Sequence, residues 1–280
     1  GACTPLHGGV SQIYIVKCDS SGNKLWDKTI PTTGIAIGNK IDFSKSGGLI
    51  CSGYISDTSL GSGLHPWLIK MDTSGNVLWN VAPSFPFNCE ASDFVEVNDR
   101  IIFAGWGIES SAIHYYSLIS CIDSSGTIFW NTSFVDTSSS GIRSISIDSG
   151  YIYAGQFYGN NNFAPGYYKS RIIKMDINGN LIWNKKLNNL QQLGNGFFVG
   201  VDITSDHKLA ISCDGLEILM TDIDCIELWR REQDTARYDI YGTLIDMRNR
   251  IAVTGRDFQD NAFLALFSDT TTTEINELYK

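Results

Sequence analysis

The chain has 280 residues, of which 43% are hydrophobic and 12% aromatic, so it can bury a substantial core and is neither disordered nor fibrous. Its formal charge is -9 and no run of Lys or Arg stands out, which excludes the basic footprint of a nucleic-acid-binding protein. No apolar stretch approaches the roughly 20 residues of a membrane-spanning helix, so no transmembrane segment is predicted.

The first ten residues lie outside the pattern that fills the rest of the chain. We therefore divide the sequence into an N-terminal segment at 1–10 and a single domain at 11–280. Gly1-Ala2-Cys3 has the form of the end of a bacterial lipoprotein cleavage box, which makes Cys3 a candidate lipid anchor, with a surface thiol or a disulfide as the alternatives. Most of the seven cysteines lie in apolar runs and are expected to be buried thiols.

An eight-residue element recurs about every fifty residues from Asp19 onward, which is the signature of a repeat architecture. Four copies share Asp, Gly and Trp at the first, fourth and eighth positions. They are Asp19, Gly22 and Trp26; Asp72, Gly75 and Trp79; Asp123, Gly126 and Trp130; and Asp176, Gly179 and Trp183. A fifth copy keeps Asp222 and Trp229 but has Cys225 in place of glycine, and a sixth keeps only Asp269 and the apolar strand before it.

Each copy predicts a β-hairpin, because an apolar run precedes the turn and a second run ends in Trp. Asp at the first turn position can accept backbone N–H bonds, and Gly at the fourth tolerates a positive φ. The Trp is expected to pack between adjacent repeats. These residues are therefore predicted to have structural roles and no catalytic one.

A second recurring run supplies two further strands per repeat. Its later strand is visible at Gly48–Gly53, Arg100–Gly105, Gly150–Gly155, Lys208–Cys213 and Arg250–Gly255. Short, evenly spaced strands in units of four predict an all-β fold, a β-propeller of four-stranded antiparallel blades. We expect six blades; five blades, or a fragment of a larger ring, are the alternatives, because the first hairpin lacks its inner strands.

The run from Trp67 to Trp79, with Gly47–Gly53 upstream, resembles repeats of secreted or surface-attached bacterial and archaeal propeller proteins. It is also similar to the tryptophan-docking motif of the quinoprotein-like (PQQ-like) superfamily, which includes outer-membrane assembly lipoproteins. The resemblance implies a secreted, periplasmic or cell-surface protein. Quinone-dependent enzymes of that superfamily typically have more blades and often an adjacent cysteine pair, so no quinone cofactor is expected here.

Loop length separates the two ends of the predicted blades. Compact turns share one end, and the other end, which we name the long-loop face, carries the connections Tyr54–Pro66, Pro83–Asp93, Trp106–His114, Gln156–Tyr168, Leu187–Gly196, Glu232–Asp239 and Arg256–Ala262. Binding residues usually lie on loops held by a rigid scaffold, so this face is the predicted binding surface. Its aromatic and amide groups suit a carbohydrate or a protein partner. The candidate ligand-binding residues are Trp106, His114, Tyr116, Phe157, Tyr158, Tyr167, Tyr168 and Arg256.

The leading hypothesis is a non-enzymatic, extracytoplasmic binding or scaffold module. The alternative is a hydrolase or lyase that uses axial carboxylates, with calcium as a candidate ion; the carboxylates are Asp42, Asp93, Glu96, Asp202, Asp239 and Asp246. They do not recur at one repeat position, and the four histidines lack metal-ligand spacing. No catalytic residue, metal site or cofactor is therefore predicted for the leading hypothesis.

Overall fold

The computed structural model of the protein describes residues 2–3, 11–56, 60, 63–108, 115–134, 139–159, 168–187, 199–213, 217–231, 239–245, 250–256, 262–267 and 274–277. The chain divides into two compact units, Gly1–Ser133 and Phe134–Lys280. Both consist of antiparallel β-strands. Within the described ranges, no helix has the length and apolarity to cross a membrane.

The first unit contains three sheets in the described residues, one of three strands and two of four strands. The first sheet comprises β1 (Ala2–Cys3), β2 (Gln12–Cys18) and β3 (Lys24–Ile30). The second comprises β4 (Ile35–Phe43), β5 (Leu49–Ser56), β6 (His65–Met71) and β7 (Val77–Val81). The third comprises β8 (Asn88–Val97), β9 (Arg100–Ile108), β10 (Tyr116–Ile122) and β11 (Ile128–Phe134).

The second unit contains three four-stranded sheets in the described residues. The first comprises β12 (Ser139–Asp148), β13 (Tyr151–Gly159), β14 (Tyr168–Asp176) and β15 (Leu181–Lys186). The next comprises β16 (Val199–Ile203), β17 (Leu209–Cys213), β18 (Glu217–Thr221) and β19 (Glu227–Arg231). The last comprises β20 (Asp239–Ile245), β21 (Ile251–Arg256), β22 (Ala262–Phe267) and β23 (Glu274–Glu277).

In every sheet each strand pairs with the next one along the chain, so each four-stranded sheet is a simple meander. This arrangement confirms the predicted fold, a β-propeller of four-stranded antiparallel blades. The cores lie between consecutive sheets of a unit; one cluster, for example, joins Ile50 and Leu68 of the second sheet to Phe94 and Phe103 of the third. The cysteines Cys51, Cys89, Cys121 and Cys213 are buried.

The turn aspartates act as side-chain acceptors for the hairpin turns. Asp72 Oδ1 accepts the backbone N–H of Ser74 at 2.8 Å and that of Asn76 at 2.9 Å. The same pair of bonds is made by Asp19, Asp123, Asp176 and Asp222. The fifth turn forms without glycine, because Cys225 itself adopts a φ of 64°.

These hydrogen bonds make the stability of the fold depend on pH. The backbone and side-chain bonds from Asn76 lower the pKa of Asp72, and the side-chain bond from Asn23 lowers that of Asp19. A folded-state pKa below the unfolded value stabilises the protein above about pH 4, and this stabilisation is lost as the pH falls through the folded pKa. We therefore expect the melting temperature to fall below about pH 4.

Asp72→Asn tests this dependence, since an amide oxygen still accepts hydrogen bonds but does not titrate. The difference in melting temperature between wild type and Asp72→Asn should shrink as the pH falls from about 5 to about 2. A difference that stays constant over this range would contradict the assignment.

The first Trp of the repeat docks on the turn of the following sheet. Trp26 Nε1 donates to the carbonyl oxygen of Thr73 at 3.3 Å. A Cβ added to Gly75 would lie 3.0 Å from two atoms of the Trp26 ring. Gly75 is therefore needed for two reasons, its φ of 81° and the close approach of the indole.

Gly75→Ala and Gly22→Ala separate these two reasons. Both residues have nearly the same φ, 81° and 82°, but a Cβ on Gly22 would meet nothing within 4 Å. We expect Gly22→Ala to cost about 1–2 kcal/mol from the left-handed conformation alone. Gly75→Ala should cost roughly 1 kcal/mol more because the Trp26 ring must shift. Urea unfolding of the two variants measures the difference, and equal costs would show that the indole contact is unimportant.

A second glycine position recurs opposite an irregularity in the first strand of a four-stranded sheet. The register shifts between Gly38 and Lys40 opposite Gly53, and between Ala91 and Asp93 opposite Gly105. Corresponding shifts occur opposite Gly155 and Gly255. In the β16–β17 pair, Cys213 replaces this glycine, and the two strands pair from Val199 to Ile203 without a shift in register.

Candidate functional site

A pocket of about 530 Å³ opens at the long-loop end of the first unit, between its first two sheets. Its apolar lining consists of Pro31, Ile55, Leu60, Trp67 and Ala82, and its polar lining consists of Thr32, Thr33 and Asn80. The volume lies within the range of about 300–1,000 Å³ that is typical of small-molecule sites.

The lining residues come from strands and connections of the first unit. Thr32 and Thr33 lie in the β3–β4 connection, and Leu60 lies in the β5–β6 connection. Ile55 is near the end of β5, opposite the start of β6. Because antiparallel neighbours carry connections at alternating ends, the end of β5 and the β3–β4 connection fall at the same end of the sheet.

The floor of the pocket is formed by a buried indole. Trp67 is 4% exposed and packs in the cluster that contains Ile55. Its indole Nε1 lies 3.5 Å from Asn80 Oδ1, which orients the Asn80 amide with its nitrogen available to other acceptors. Asn80 itself is exposed on β7.

This composition suits a ligand with one apolar face and several hydroxyl or amide groups. Aliphatic and indole surfaces remove an apolar face from water, while the Asn80 amide and the threonine hydroxyls can hydrogen-bond its polar edge. Thr32 already donates to the carbonyl oxygen of Gly34 at 2.7 Å and so fixes the connection locally. A sugar ring and a short peptide turn both meet this description.

In the first unit, the predicted ligand-binding aromatics are engaged with other aromatic side chains. Trp106 is half-buried on β9 and meets Tyr115 edge to face with centroids 4.9 Å apart. Tyr116 is buried on β10, where it meets Phe87 in the same manner at 4.9 Å. Both side chains therefore hold connections in place.

In the second unit, Phe157 and Tyr158 are buried on β13. Arg143 lies over the Phe157 ring at 5.9 Å and Arg171 over the Tyr158 ring at 4.1 Å. Tyr168 and Arg256 lie in β14 and β21, and the structure describes only their backbone. His114 and Tyr167 lie outside the described residues.

The pocket residues themselves were not among those predicted from the sequence. Trp67 is the first residue of the apolar run before the second turn and is not a Trp of the repeat, and Asn80 follows Trp79 as Asn184 follows Trp183. The available signal was the pairing of a non-repeat Trp with a repeat Asn, which is visible only once the strands are in register. In that register Asn80 lies opposite Ile69, two residues beyond Trp67.

The four carboxylates of the enzymatic alternative whose side chains the structure describes each make a contact within the protein. Asp42 Oδ1 accepts the N–H of Phe43 at 2.7 Å, and Asp93 forms an ion pair with Lys40 at 3.3 Å. Glu96 binds Ser44, and Asp202 accepts N–H bonds from Ile203 and Ile245. The backbone alone of Asp239 is described, and Asp246 lies outside the described residues.

The part of the chain that the structure describes contains no group of three or more His, Cys, Asp and Glu side chains placed to hold a metal ion.

No protein family and no curated protein sequence match this chain. Among solved structures, a protein of unknown function from Bacteroides caccae superposes with a TM-score of 0.56 at 12% identity, covering 95% of this chain and 94% of that one. The extracellular domain of a protein assigned as a hybrid two-component system in B. thetaiotaomicron superposes with a TM-score of 0.51 at 14% identity over 86% of this chain, which spans 28% of that chain. BamB from Moraxella catarrhalis matches with a TM-score of 0.46 at 10% identity, covering 97% of this chain and 83% of that one.

Proposed function

We propose that this β-propeller is a non-enzymatic, extracytoplasmic binding module that engages a carbohydrate through the pocket at Trp67 and Asn80. The observation that carries the proposal is the pocket itself, a space of about 530 Å³ with a buried indole in its lining and an exposed amide at its edge. Aromatic and aliphatic walls with a few placed hydrogen-bonding groups are the usual construction of such sites.

A protein partner is the second occupant that this surface suits, because the same groups can bind a peptide turn. The extracytoplasmic location is supported by the extracellular B. thetaiotaomicron domain, which shares the fold. Membership of the quinoprotein-like superfamily is supported by the docking of Trp26 on the turn at Thr73 and Gly75. Cys3 is retained as the proposed lipid anchor.

A glycan array with the purified protein, together with a pull-down from the native cell surface, tests the proposal. Binding to a defined glycan is the expected result. If the array shows no binding and the pull-down captures a protein, the partner is a protein and not a carbohydrate. If neither experiment shows binding, the proposed binding function is wrong.

Asn80→Ala is expected to weaken glycan binding about three- to tenfold, which corresponds to a net hydrogen bond of about 0.5–1.5 kcal/mol. Titration calorimetry with the glycan found on the array measures this change. Asn184→Ala is the matched control, because Asn184 also follows the repeat Trp, is also exposed and lies opposite Ile173 as Asn80 lies opposite Ile69. Equal affinities of the two variants would place the binding site elsewhere.

A further inference from the structure

The side-chain amide of Asn80 has a fixed orientation at the edge of the pocket. Its Oδ1 accepts the N–H of the buried Trp67 indole at 3.5 Å. An amide oxygen accepts hydrogen bonds and an amide nitrogen donates them. Because the oxygen lies on the indole, Asn80 presents its Nδ2 hydrogens to a ligand in the pocket and acts as a donor.

The hydroxyl of Thr32 has the opposite polarity toward the pocket. Thr32 is half-buried, lines the pocket and donates its hydroxyl hydrogen to the carbonyl oxygen of Gly34 at 2.7 Å. A hydroxyl has one hydrogen and two lone pairs. With the hydrogen used within the connection, Thr32 offers a ligand only its lone pairs and acts as an acceptor.

This donor and this acceptor come from different chain segments. Asn80 lies on β7 of the second sheet, whereas Thr32 lies in the connection that follows β3 of the first sheet. The matching ligand group therefore has an acceptor on one side and a donor on the other. A secondary amide meets this requirement, because its trans geometry directs the C=O and the N–H in opposite directions. A single hydroxyl holds both functions on one atom.

The apolar lining favours a ligand that carries an aliphatic group in addition to a sugar ring. The indole of Trp67 can pack against the apolar face of the ring. The other apolar lining residues are aliphatic, namely Pro31, Ile55, Leu60 and Ala82. A ring substituted only with hydroxyl groups has few atoms that can use these surfaces, whereas a methyl group is removed from water by them.

We propose that the pocket is specific for N-acetylated amino sugars. Asn80 Nδ2 donates to the carbonyl oxygen of the acetamido group, the acetamido N–H donates to Thr32 Oγ1, and the methyl group packs on the aliphatic lining. Trp67 is a positioning residue in this arrangement, since its N–H holds the Asn80 amide in the required orientation. The inference rests on the proposed carbohydrate function and narrows it to one class of sugar.

Two trisaccharides test the specificity directly. N,N′,N″-triacetylchitotriose and cellotriose have the same linkage and differ at carbon 2 of each ring, which carries an acetamido group in the first and a hydroxyl group in the second. Titration calorimetry with the purified protein measures both affinities. We expect triacetylchitotriose to bind at least about tenfold more tightly, the effect of one to two net hydrogen bonds.

Asn80→Asp is expected to reverse this preference. A carboxylate only accepts hydrogen bonds, so it repels the acetamido carbonyl oxygen but can accept from a hydroxyl group. Asn184→Asp is the matched control, because it places the same charge at the corresponding exposed position of a sheet in the second unit. This control should retain the preference of the wild type. If Asn80→Asp also retains it, Asn80 does not contact the acetamido group.

Trp67→Phe separates the orientation of the amide from stacking on the ring. Phe keeps an aromatic face but has no N–H, so the Asn80 amide becomes free to rotate and to present its oxygen. The preference for triacetylchitotriose should fall to less than about threefold while both trisaccharides still bind. A wild-type preference in a folded Trp67→Phe variant would show that the indole does not position Asn80. Asn80→Asp provides the test if Trp67→Phe does not fold.

The outcomes distinguish this inference from the proposed function. Equal affinities for the two trisaccharides, or array binding confined to sugars without an acetamido group, would overturn the specificity and leave the carbohydrate function standing. If neither the array nor either trisaccharide shows binding, the carbohydrate function is wrong and the specificity falls with it. N-acetylalanine methylamide carries the same amide without a sugar ring. If it binds as tightly as triacetylchitotriose, the pocket recognises a peptide and not an amino sugar.

Discussion

Gly105→Ala is expected to lower the free energy of unfolding by about 3 kcal/mol, at the upper end of the cost of overpacking a core. A Cβ on Gly105 would lie 1.9 Å from the carbonyl oxygen of Glu90, a distance that real Cβ atoms do not reach. The obstacle is backbone of β8, the first strand of the sheet, and not the end of a flexible side chain. Relief would require β8 to move away from β9, which would break part of the ladder between them.

Gly38→Ala is the matched control for this prediction. Gly38 also lies in a strand of the same unit, but an added Cβ would meet only side-chain atoms of Cys51 and Ile13 at the ordinary contact distance of 3.5 Å. This substitution should be neutral or stabilise by up to about 1 kcal/mol, because Ala lowers the entropy of the unfolded chain. Denaturant unfolding of both variants measures the two free energies. If Gly105→Ala is as stable as Gly38→Ala, residue 105 does not lie against the Glu90 carbonyl as described.

Glu96→Ala is expected to cost about 3 kcal/mol, because it leaves a buried ammonium without its carboxylate. Lys70 and Glu96 form an ion pair of 3.7 Å whose side chains are only 10% and 12% exposed. Ser44 completes the cluster: its hydroxyl donates to Glu96 Oε1 at 2.9 Å, and Lys70 Nζ approaches the same hydroxyl at 2.5 Å. Ser46 also accepts a bond from Lys70.

The double variant Lys70→Met/Glu96→Leu separates loss of the pair from loss of packing. Replacing both charges by apolar groups of similar volume should recover most of the stability lost in Glu96→Ala. Lys24→Ala is the exposed control, since the side chains of the Lys24–Asp27 pair are 59% and 37% exposed. This substitution should change the melting temperature little. If Glu96→Ala unfolds at the same denaturant concentration as wild type, the cluster does not stabilise the fold.

Features that depend on residues close together in the chain could be predicted from the sequence. The hairpin turns were predictable because the Asp and Gly of each turn interact with residues at most four positions away, as in Asp72 and Asn76. The repeat of the four-stranded unit predicted the propeller fold for the same reason, since each meander pairs only neighbouring strands. The replacement of glycine by Cys225 was visible in the sequence, and the structure shows that the turn persists at the cost of a positive φ.

The proposed binding pocket could not be predicted from the sequence. It lies at the end of the sheets that carries the long loops, which stays a prediction of the binding face, but loop lengths could not distinguish aromatic residues that pack from those that line a cavity. Tyr116, Phe157 and Trp67 are all buried, yet of these three Trp67 lines the pocket at Asn80. The difference depends on which strands of neighbouring sheets come together, and no local pattern encodes it.

The sequence by itself determined the turns, the strands and the four-stranded repeat, because hydrogen bonds and side-chain alternation act over a few residues. Tertiary structure alone decided that Gly105 lies against a carbonyl of β8 and that Trp26 docks on the turn at Gly75. Each of these depends on the approach of two segments that are distant in the chain. Such contacts are set by the packing of whole sheets, which is why the sites that they create could not be read from the repeat.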